Sequence, residues 1–504
     1  MMKKTFRRFI YASSNVADGS CKRRLLGSLV LVSAMLGWIS SPIAAERPNI
    51  ILCMADDMGW GDTGYNGHPV LKTPCLDAMA NAGLKFHRFY AGAAVCSPTR
   101  GSCLTGRNST RFGIMTANQG HLKKREITLA EILGDQGYRT GHFGKWHLGT
   151  MTNDYSGKPG RNPRAHHLTP GMAGFQEWFS TEFAVATWDP YDPANTHAKE
   201  YDPRLLYWHN GKNITDGLKQ GMTGCDSRII MDRALPFIEK SVQDDRPFFT
   251  VIWFHAPHEP IIGGPEYRAM YPQQNENTQH YYAVVTALDE QIGRLRARLR
   301  DLGVAENTML WFCSDNGPEG NSGQVRRRQG SAGEFRGRKR SLYEGGVRVP
   351  GILEWPAKIS SGRATHYPAV TSDYFPTIME VLGYDITRQT KRPYDGLSLM
   401  PVIMDDVRQR PAPIAFAGHG LETLSDNQYK LVHNPSKMRL KHDNGKTPVA
   451  EWELYDLQND PSETINLAAK KPDIVSRMQK ELRKWLRSCA QSREETDYEA
   501  AGSL

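Results

Sequence analysis

Arg47-Pro-Asn-Ile-Ile-Leu-Cys-Met-Ala-Asp-Asp57 is the stretch from which the fold can be read. Residues 49–55 form an unbroken apolar run that stops at two carboxylates. That is the signature of a strand buried on both faces, with polar groups at its C-terminal end. The pattern returns further along the chain. Residues 248–254 lead into His255-Ala-Pro-His258, residues 308–313 lead into Ser314-Asp-Asn-Gly317, and residues 347–355 are a fourth apolar run. Helical segments fall between them. Thr73-Pro74 opens one that Gly83 closes, with Pro in the first turn and Gly past the last. Residues 128–136 form another, with Glu131 placed for a capping box. Residues 278–302 carry Leu288, Ile292, Leu295 and Leu299 on one stripe, and residues 372–382 are a further helix. Strands alternating with helices predict an α/β fold, a large mostly parallel sheet sandwiched by helices. Ligands of such sheets collect beyond the carboxyl ends of the strands, where this sequence places Asp-Asp, His-x-x-His and Asp-Asn.

The texture changes after residue 385. Pro393, Pro401, Pro411 and Pro413 punctuate the chain, and short strand-like pieces follow at 414–418, 428–433 and 451–456, then a helix at 472–485. This predicts a smaller C-terminal subdomain, residues 386–504, made of an antiparallel sheet and a helix.

At the other end, Lys3, Lys4, Arg7, Arg8, Lys22, Arg23 and Arg24 precede a charge-free apolar run at 25–39 and then Ser40-Ser-Pro-Ile-Ala-Ala45. That is the layout of a secretory signal peptide over residues 1–45, cleaved before Glu46. The run falls short of the roughly 20 apolar residues that span a bilayer, so a stable membrane anchor is not expected. The chain is read as exported, to the periplasm or beyond. The leader carries most of the net charge of +9, leaving the remainder at +3, which gives no general case for nucleic acid. One basic cluster remains: Arg326, Arg327, Arg328, Arg336, Arg338, Lys339 and Arg340. It reads either as a solvated loop or as a subsite for an anionic substrate. Seven cysteines follow the leader, an odd number that leaves at least one unpaired.

Asp56, Asp57, Asp315 and Asn316 offer only oxygen donors, which suits a hard cation, Ca2+ or Mg2+, better than zinc. Cys96-Ser-Pro-Thr-Arg-Gly101 reads as a helix start. Cys96 would then sit at the positive end of the dipole, with Arg100 four residues on along the same face. Arg107 and Arg111 add positive charge downstream.

Cys96-Ser-Pro-Thr-Arg100 followed by Gly-Ser-Cys-Leu-Thr-Gly-Arg107 resembles the signature of the formylglycine-dependent sulfatases. Five further blocks are similar to that family in the same order. They are Ile51-Leu-Cys-Met-Ala-Asp-Asp-Met-Gly-Trp-Gly-Asp62, Gly144-Lys-Trp-His-Leu-Gly149, Ser314-Asp-Asn-Gly317, Tyr343-Glu-Gly-Gly-Val-Arg-Val-Pro350, and Glu453-Leu-Tyr-Asp-Leu457 with Asp460-Pro-Ser-Glu463.

The resemblance implies a sulfatase catalytic domain over residues 46–385. It also implies that a formylglycine-generating maturation enzyme oxidises Cys96 to formylglycine (3-oxoalanine) during export. Asp56, Asp57, Asp315, Asn316 and the modified Cys96 would hold the cation. Arg100 would polarise the formylglycine, with Lys145 and His147 flanking it. His258 and Lys339 would contact the sulfate and the leaving oxygen. His258 is implied instead of His255 because it stands directly before Glu259-Pro260. A hydrated aldehyde would offer one hydroxyl to attack sulfur and a second whose deprotonation by His147 would let sulfate go. The expected activity is removal of sulfate from a sulfated carbohydrate or aryl sulfate. Trp178, Phe179, Trp188, Tyr191, Tyr207 and Trp208 are candidate stacking residues for a sugar. The competing readings are a phosphoester or phosphonate hydrolase of the same superfamily and an inactive protein that binds sulfated glycan.

Overall fold

A computed structural model describes residues 47–498 except 157–159, 196–201, 321–326, 328, 387–390 and 438–448. The expected leader at 1–45, together with Arg326 and Arg328 of the basic cluster, lies outside the described residues. Residues 47–504 form one compact unit, and among the described residues no helix is long and apolar enough to cross a membrane.

The apolar runs do form strands. Asn49–Ala55 lies between Thr308–Ser314 and Phe248–Trp253, parallel to both. The full ten-stranded sheet runs Arg363–Thr365, Leu84–Phe86, Gly351–Glu354, Thr308–Ser314, Asn49–Ala55, Phe248–Trp253, Arg139–Lys145, Glu177–Thr181, Tyr207–His209, Lys212–Asn213. The central strands are all parallel, and antiparallel pairs occur toward the edges. Alternate residues of Asn49–Ala55 enter two cores. Ile50, Leu52 and Met54 face one that also holds Leu133, Phe375 and Ile378. Ile51, Cys53 and Ala55 face another that holds Ile230, Leu288, Ile292 and Leu295. Burying such a side chain on both faces is worth about 2 kcal/mol each, which is why these strands have no polar side.

The expected helices appear as Pro74–Ala82, Leu129–Asp135, Glu276–Asp301 and Tyr374–Val381. Thr128 and Glu131 form the reciprocal capping box. Three features depart from the sequence reading. The apolar run at 347–355 is not one strand: Pro350, which has no N–H to give a ladder, separates two short ones. Arg348–Val349 pairs with Phe89–Tyr90 in a separate three-stranded sheet, and Gly351–Glu354 joins the large sheet. Strand Arg139–Lys145 and helix Asp226–Gln243, which contains Pro236, were not expected from the sequence.

The C-terminal part is an antiparallel sheet of Ile414–Gly418, Leu421–Ser425, Tyr429–His433 and Trp452–Asp456. Helix Pro472–Arg493 covers one face through Met478 and Leu482. The other face packs Phe416, Val432 and Tyr455 on Tyr90, Tyr343 and Val347. A buried ion cluster ties this junction: Lys430 Nζ lies 2.9 Å from Glu344 and 3.0 Å from Glu463, all three buried. Removing one partner of a buried ion group strands the others. Lys430→Met is therefore expected to lower unfolding stability by about 3–5 kcal/mol, read as a shift in the urea midpoint. A shift under 1 kcal/mol would show that the junction does not depend on this cluster.

Candidate active site

Four neighbouring parallel strands bring residues at their C-terminal ends together on one side of the sheet. Asp56 and Asp57 follow Asn49–Ala55, Asp315 and Asn316 follow Thr308–Ser314, and His255 and His258 follow Phe248–Trp253. Lys145 closes strand Arg139–Lys145. That strand carries Gly144 at φ 100°, where a Cβ would lie 2.0 Å from the Trp253 carbonyl oxygen. The glycine is what lets the chain turn Trp146 into the core while Lys145 reaches the carboxylates. Cys96 is the first residue of helix Cys96–Thr105, all of whose residues are buried. Lys339 enters from the loop before Tyr343.

Each carboxylate has a cation. Arg100 Nη2 donates to Asp315 Oδ2 at 2.6 Å and lies 3.5 Å from Asp56. Lys145 Nζ is 2.5 Å from Asp56 Oδ2. Lys339 Nζ is 2.7 Å from Asp57 Oδ1. Asn316 Nδ2 donates to Asp57 Oδ1 at 2.7 Å, and His258 Nε2 is 3.7 Å from Asp57 Oδ2. Three acids thus balance three bases in a buried cluster.

The electrostatics follow. Burial works against ionised Asp56, but Lys145, with His258, Arg100 and Lys339, holds its carboxyl below the usual range. Asp315 is pushed up by burial and by Asp56 beside it. Burial also raises the Cys96 thiol, so an unmodified Cys96 is a protonated, poor nucleophile.

The cluster fits a hard cation. Atoms of Asp56, Cys96 and Asp315 lie within 4.8 Å of one another, as do those of Asp56, Asp57 and His258. Two buried acceptors there, Asp56 Oδ1 and Asn316 Oδ1, have no hydrogen-bond partner among the described residues. Cys96 Sγ is the one soft donor in the set.

The two histidines of residues 255–258 separate cleanly. His255 is fully buried and held by Asp226 at 2.7 Å and by Thr181 at 2.7 Å, a structural pair away from the carboxylates. His258 faces the site, its Nδ1–H donating to the Glu259 carbonyl at 2.6 Å.

His147 stands at φ 56°. Its Nε2 lies 2.8 Å from Asn118 Oδ1. A carbonyl oxygen only accepts, so Nε2 carries the hydrogen and Nδ1, buried and unpartnered, holds the lone pair. Burial, then Lys145, Arg161 and Arg100, keeps the ring neutral by lowering its pKa well below the ordinary value. Asn118 and Arg161, whose Nη2 donates to the His147 carbonyl at 2.9 Å, carry no sequence signal; both lie in loops without periodicity.

Other expectations change. Arg107 and Arg111 point away from the site, pairing with Asp497 at 2.9 Å and Asp395 at 2.7 Å. In the basic cluster, Arg336 packs on Tyr343 near Glu453, Arg338 bonds the Glu319 carbonyl, and Arg340 pairs with the Glu319 carboxylate at 2.8 Å. Of its described members only Lys339 meets the site carboxylates. Trp178, Phe179, Tyr191 and Tyr207 are core residues, at most 5 % exposed, so they are not a stacking platform. Among the described residues all seven cysteines are free.

Comparison with known proteins gives the same picture. The sequence pattern of the Sulfatase family matches residues 48–384, and that of the N-sulphoglucosamine sulphohydrolase C-terminal family matches 333–491. N-acetylgalactosamine-6-sulfatase of Canis lupus familiaris is 32% identical over 416 residues, 80% of this chain and 74% of that protein. Arylsulfatase A of Homo sapiens is 29% identical over 474 residues, 88% of each. The solved structure of Ps i-CgsB in complex with k-i-k-neocarrahexaose superposes with a TM-score of 0.74 at 25% identity, over 89% of this chain and 94% of that one. With strand ends, paired charges and sequence pattern in agreement along its length, the chain belongs to the sulfatase family of sulfuric ester hydrolases.

Proposed function

We propose that this enzyme removes sulfate from a sulfated carbohydrate, through a formylglycine made from Cys96 and one bound divalent cation, Ca2+ or Mg2+. The observation that carries the reading is the charge balance around Cys96. Asp56, Asp57 and Asp315 are already matched by Lys145, Lys339 and Arg100. A divalent cation there leaves the pocket net positive, ready for an anionic ester.

Asp56, Asp57, Asp315 and Asn316 would hold the cation. When bound, it supplies Lewis-acid neutralisation of negative charge on the reacting oxygens. The formylglycine, once hydrated, supplies two hydroxyls on one carbon, one to attack sulfur and one whose deprotonation releases sulfate. Cys96 is 1 % exposed, so the maturation enzyme must reach it before the chain folds. Arg100 orients the side chain at position 96 and offsets its charge. Lys145 and Lys339 stabilise charge that builds on the transferring group. His147 takes a proton at Nδ1, because Asn118 occupies its other nitrogen. Lys339, beside Asp57, protonates the departing alcohol oxygen, and His258, also beside Asp57, contacts that oxygen.

The test compares matured enzyme on nitrophenyl sulfate and nitrophenyl phosphate, before and after chelation. The expected result is a preference for sulfate of more than about a hundredfold. Chelation should abolish activity and remove about 2–4 kcal/mol of stability at a ligand concentration well above Kd, and added Ca2+ should restore both. Faster phosphate hydrolysis would point to the phosphoester reading, and full activity in chelator would remove the cation.

A further inference from the structure

Every cation contacting the carboxylate cluster has an acidic partner within 3 Å: Arg100 has Asp315, Lys145 has Asp56, and Lys339 has Asp57. Arg161 does not. It is only 5 % exposed, and its Nη2 is held by the His147 carbonyl. Among the described residues its Nε and Nη1 have no hydrogen-bond partner. Among the described residues it forms no ion pair. The carboxylate whose field reaches it is Glu182. The oxygens of that group are occupied by the Met151 N–H at 3.1 Å and the Ser156 hydroxyl at 2.9 Å.

Arg161 belongs to the wall of the active site. It is near enough to Cys96 and to His147 for their charges to interact. Its guanidinium lies 5.9 Å from the Phe183 ring, and the edge of the same ring system meets His147 at 5.8 Å. On its other side the stacked pair His121 and His166, 5.1 Å apart, also feels its charge. A buried guanidinium with unsatisfied donors is costly unless something anionic completes it. The carboxylate cluster cannot be that partner, because its charges are already matched. In the proposed reaction the surplus positive charge of the cation-loaded pocket serves the scissile sulfate.

Resting on the sulfatase reading, we propose that Arg161 forms a subsite for a second anionic group of the substrate, a sulfate or carboxylate beyond the one that is cleaved. Arg161 is then a specificity residue, and the preferred sugar carries two negative groups close together. A guanidinium suits both, since it donates charge-assisted hydrogen bonds to either oxyanion.

The test uses the full matured enzyme and nitrophenyl sulfate, which has one anionic group, as reporter. The competing ligands are N-acetylgalactosamine 6-sulfate, N-acetylgalactosamine 4,6-disulfate, and a disaccharide joining glucuronic acid to N-acetylgalactosamine 6-sulfate. Wild type and Arg161→Gln are compared; glutamine can still donate to the His147 carbonyl. In wild type, at least one doubly anionic ligand should inhibit about tenfold or more better than the monosulfate. In Arg161→Gln that advantage should collapse by about tenfold to a hundredfold, the range of a charge-assisted hydrogen bond. The loss should exceed any fall in kcat/KM on the reporter by at least tenfold. The ligand that loses its advantage identifies sulfate or carboxylate. If reporter hydrolysis falls as far as inhibition weakens, Arg161 only positions His147 or serves the scissile sulfate, and the proposal is overturned. It is overturned equally if no doubly anionic ligand is preferred by wild type, or if the preference survives the substitution. Failure of wild type to hydrolyse nitrophenyl sulfate at all would instead sink the sulfatase mechanism on which the inference rests.

Discussion

Cys96→Ser and Cys96→Ala are both expected to lose sulfate ester hydrolysis by more than about a thousandfold, with the fold retained. The serine variant is the informative one. Serine restores a hydroxyl at the N-terminal end of helix Cys96–Thr105, beside Lys145 and Arg100. If an ordinary alcohol were the nucleophile, serine would work at least as well as the buried thiol. It has only one hydroxyl on its carbon, so it can accept a group but has no internal route for releasing it. Steady-state turnover should vanish, although a single-turnover burst can remain. Mass spectrometry of the tryptic peptide from Phe89 to Arg100 gives the complementary readout: matured wild type should show the lower mass of an aldehyde in place of the thiol. A serine variant that turns over at more than a tenth of the wild-type rate, or wild type that is active with an intact thiol, would remove the formylglycine from the mechanism. Folded circular dichroism in both variants separates this outcome from simple misfolding.

Arg100→Ala should combine a large loss of stability with a loss of activity. The guanidinium is without solvent exposure. It pairs with Asp315 and Asp56, donates to the Lys145 carbonyl at 3.0 Å, and lies 5.1 Å from the Trp253 ring. Its removal leaves Asp315 buried against Asp56 with one fewer cation. Breaking a buried pair in this way costs about 3–5 kcal/mol. Urea unfolding in chelator should show that full loss. In excess Ca2+ the loss should be smaller, because a cation bound by the same carboxylates replaces part of the missing charge. Activity should fall by about a hundredfold to a thousandfold or more even with Ca2+, the usual effect of deleting one preorganised charge donor. Arg100→Lys should recover part of the stability but little of the rate, since an ammonium cannot hold Asp315 and the Lys145 carbonyl together. A stability loss under 1 kcal/mol in chelator, or one that does not respond to Ca2+, would contradict the arrangement of carboxylates around Arg100.

The sequence by itself determined the central strands, because a strand buried on both faces must be apolar throughout and its end is marked where polar residues begin. Residues 49–55 and 308–313 and the acids after them were therefore legible, as was the helix start at Cys96. Strand Arg139–Lys145 was not. Arg-Thr-Gly-His-Phe-Gly-Lys has neither an apolar run nor alternation, and it is a strand because neighbours on both sides satisfy its backbone and leave room for Gly144 but no side chain. The choice of His258 over His255 rests on resemblance; tertiary structure pairs His255 with Asp226, on a helix without a sequence signal, and leaves His258 3.7 Å from Asp57. The same holds for the cations. A run of basic residues cannot show which member finds a partner; nearby contacts assign Arg336, Arg338 and Arg340 to internal bonds, and contacts hundreds of positions apart assign Lys339 to Asp57 and Arg107 and Arg111 to the C-terminal segment. Asn118 and Arg161 emerge only from the three-dimensional account of hydrogen bonds. What reveals them is the partner each donor has or lacks, and a linear sequence does not record that.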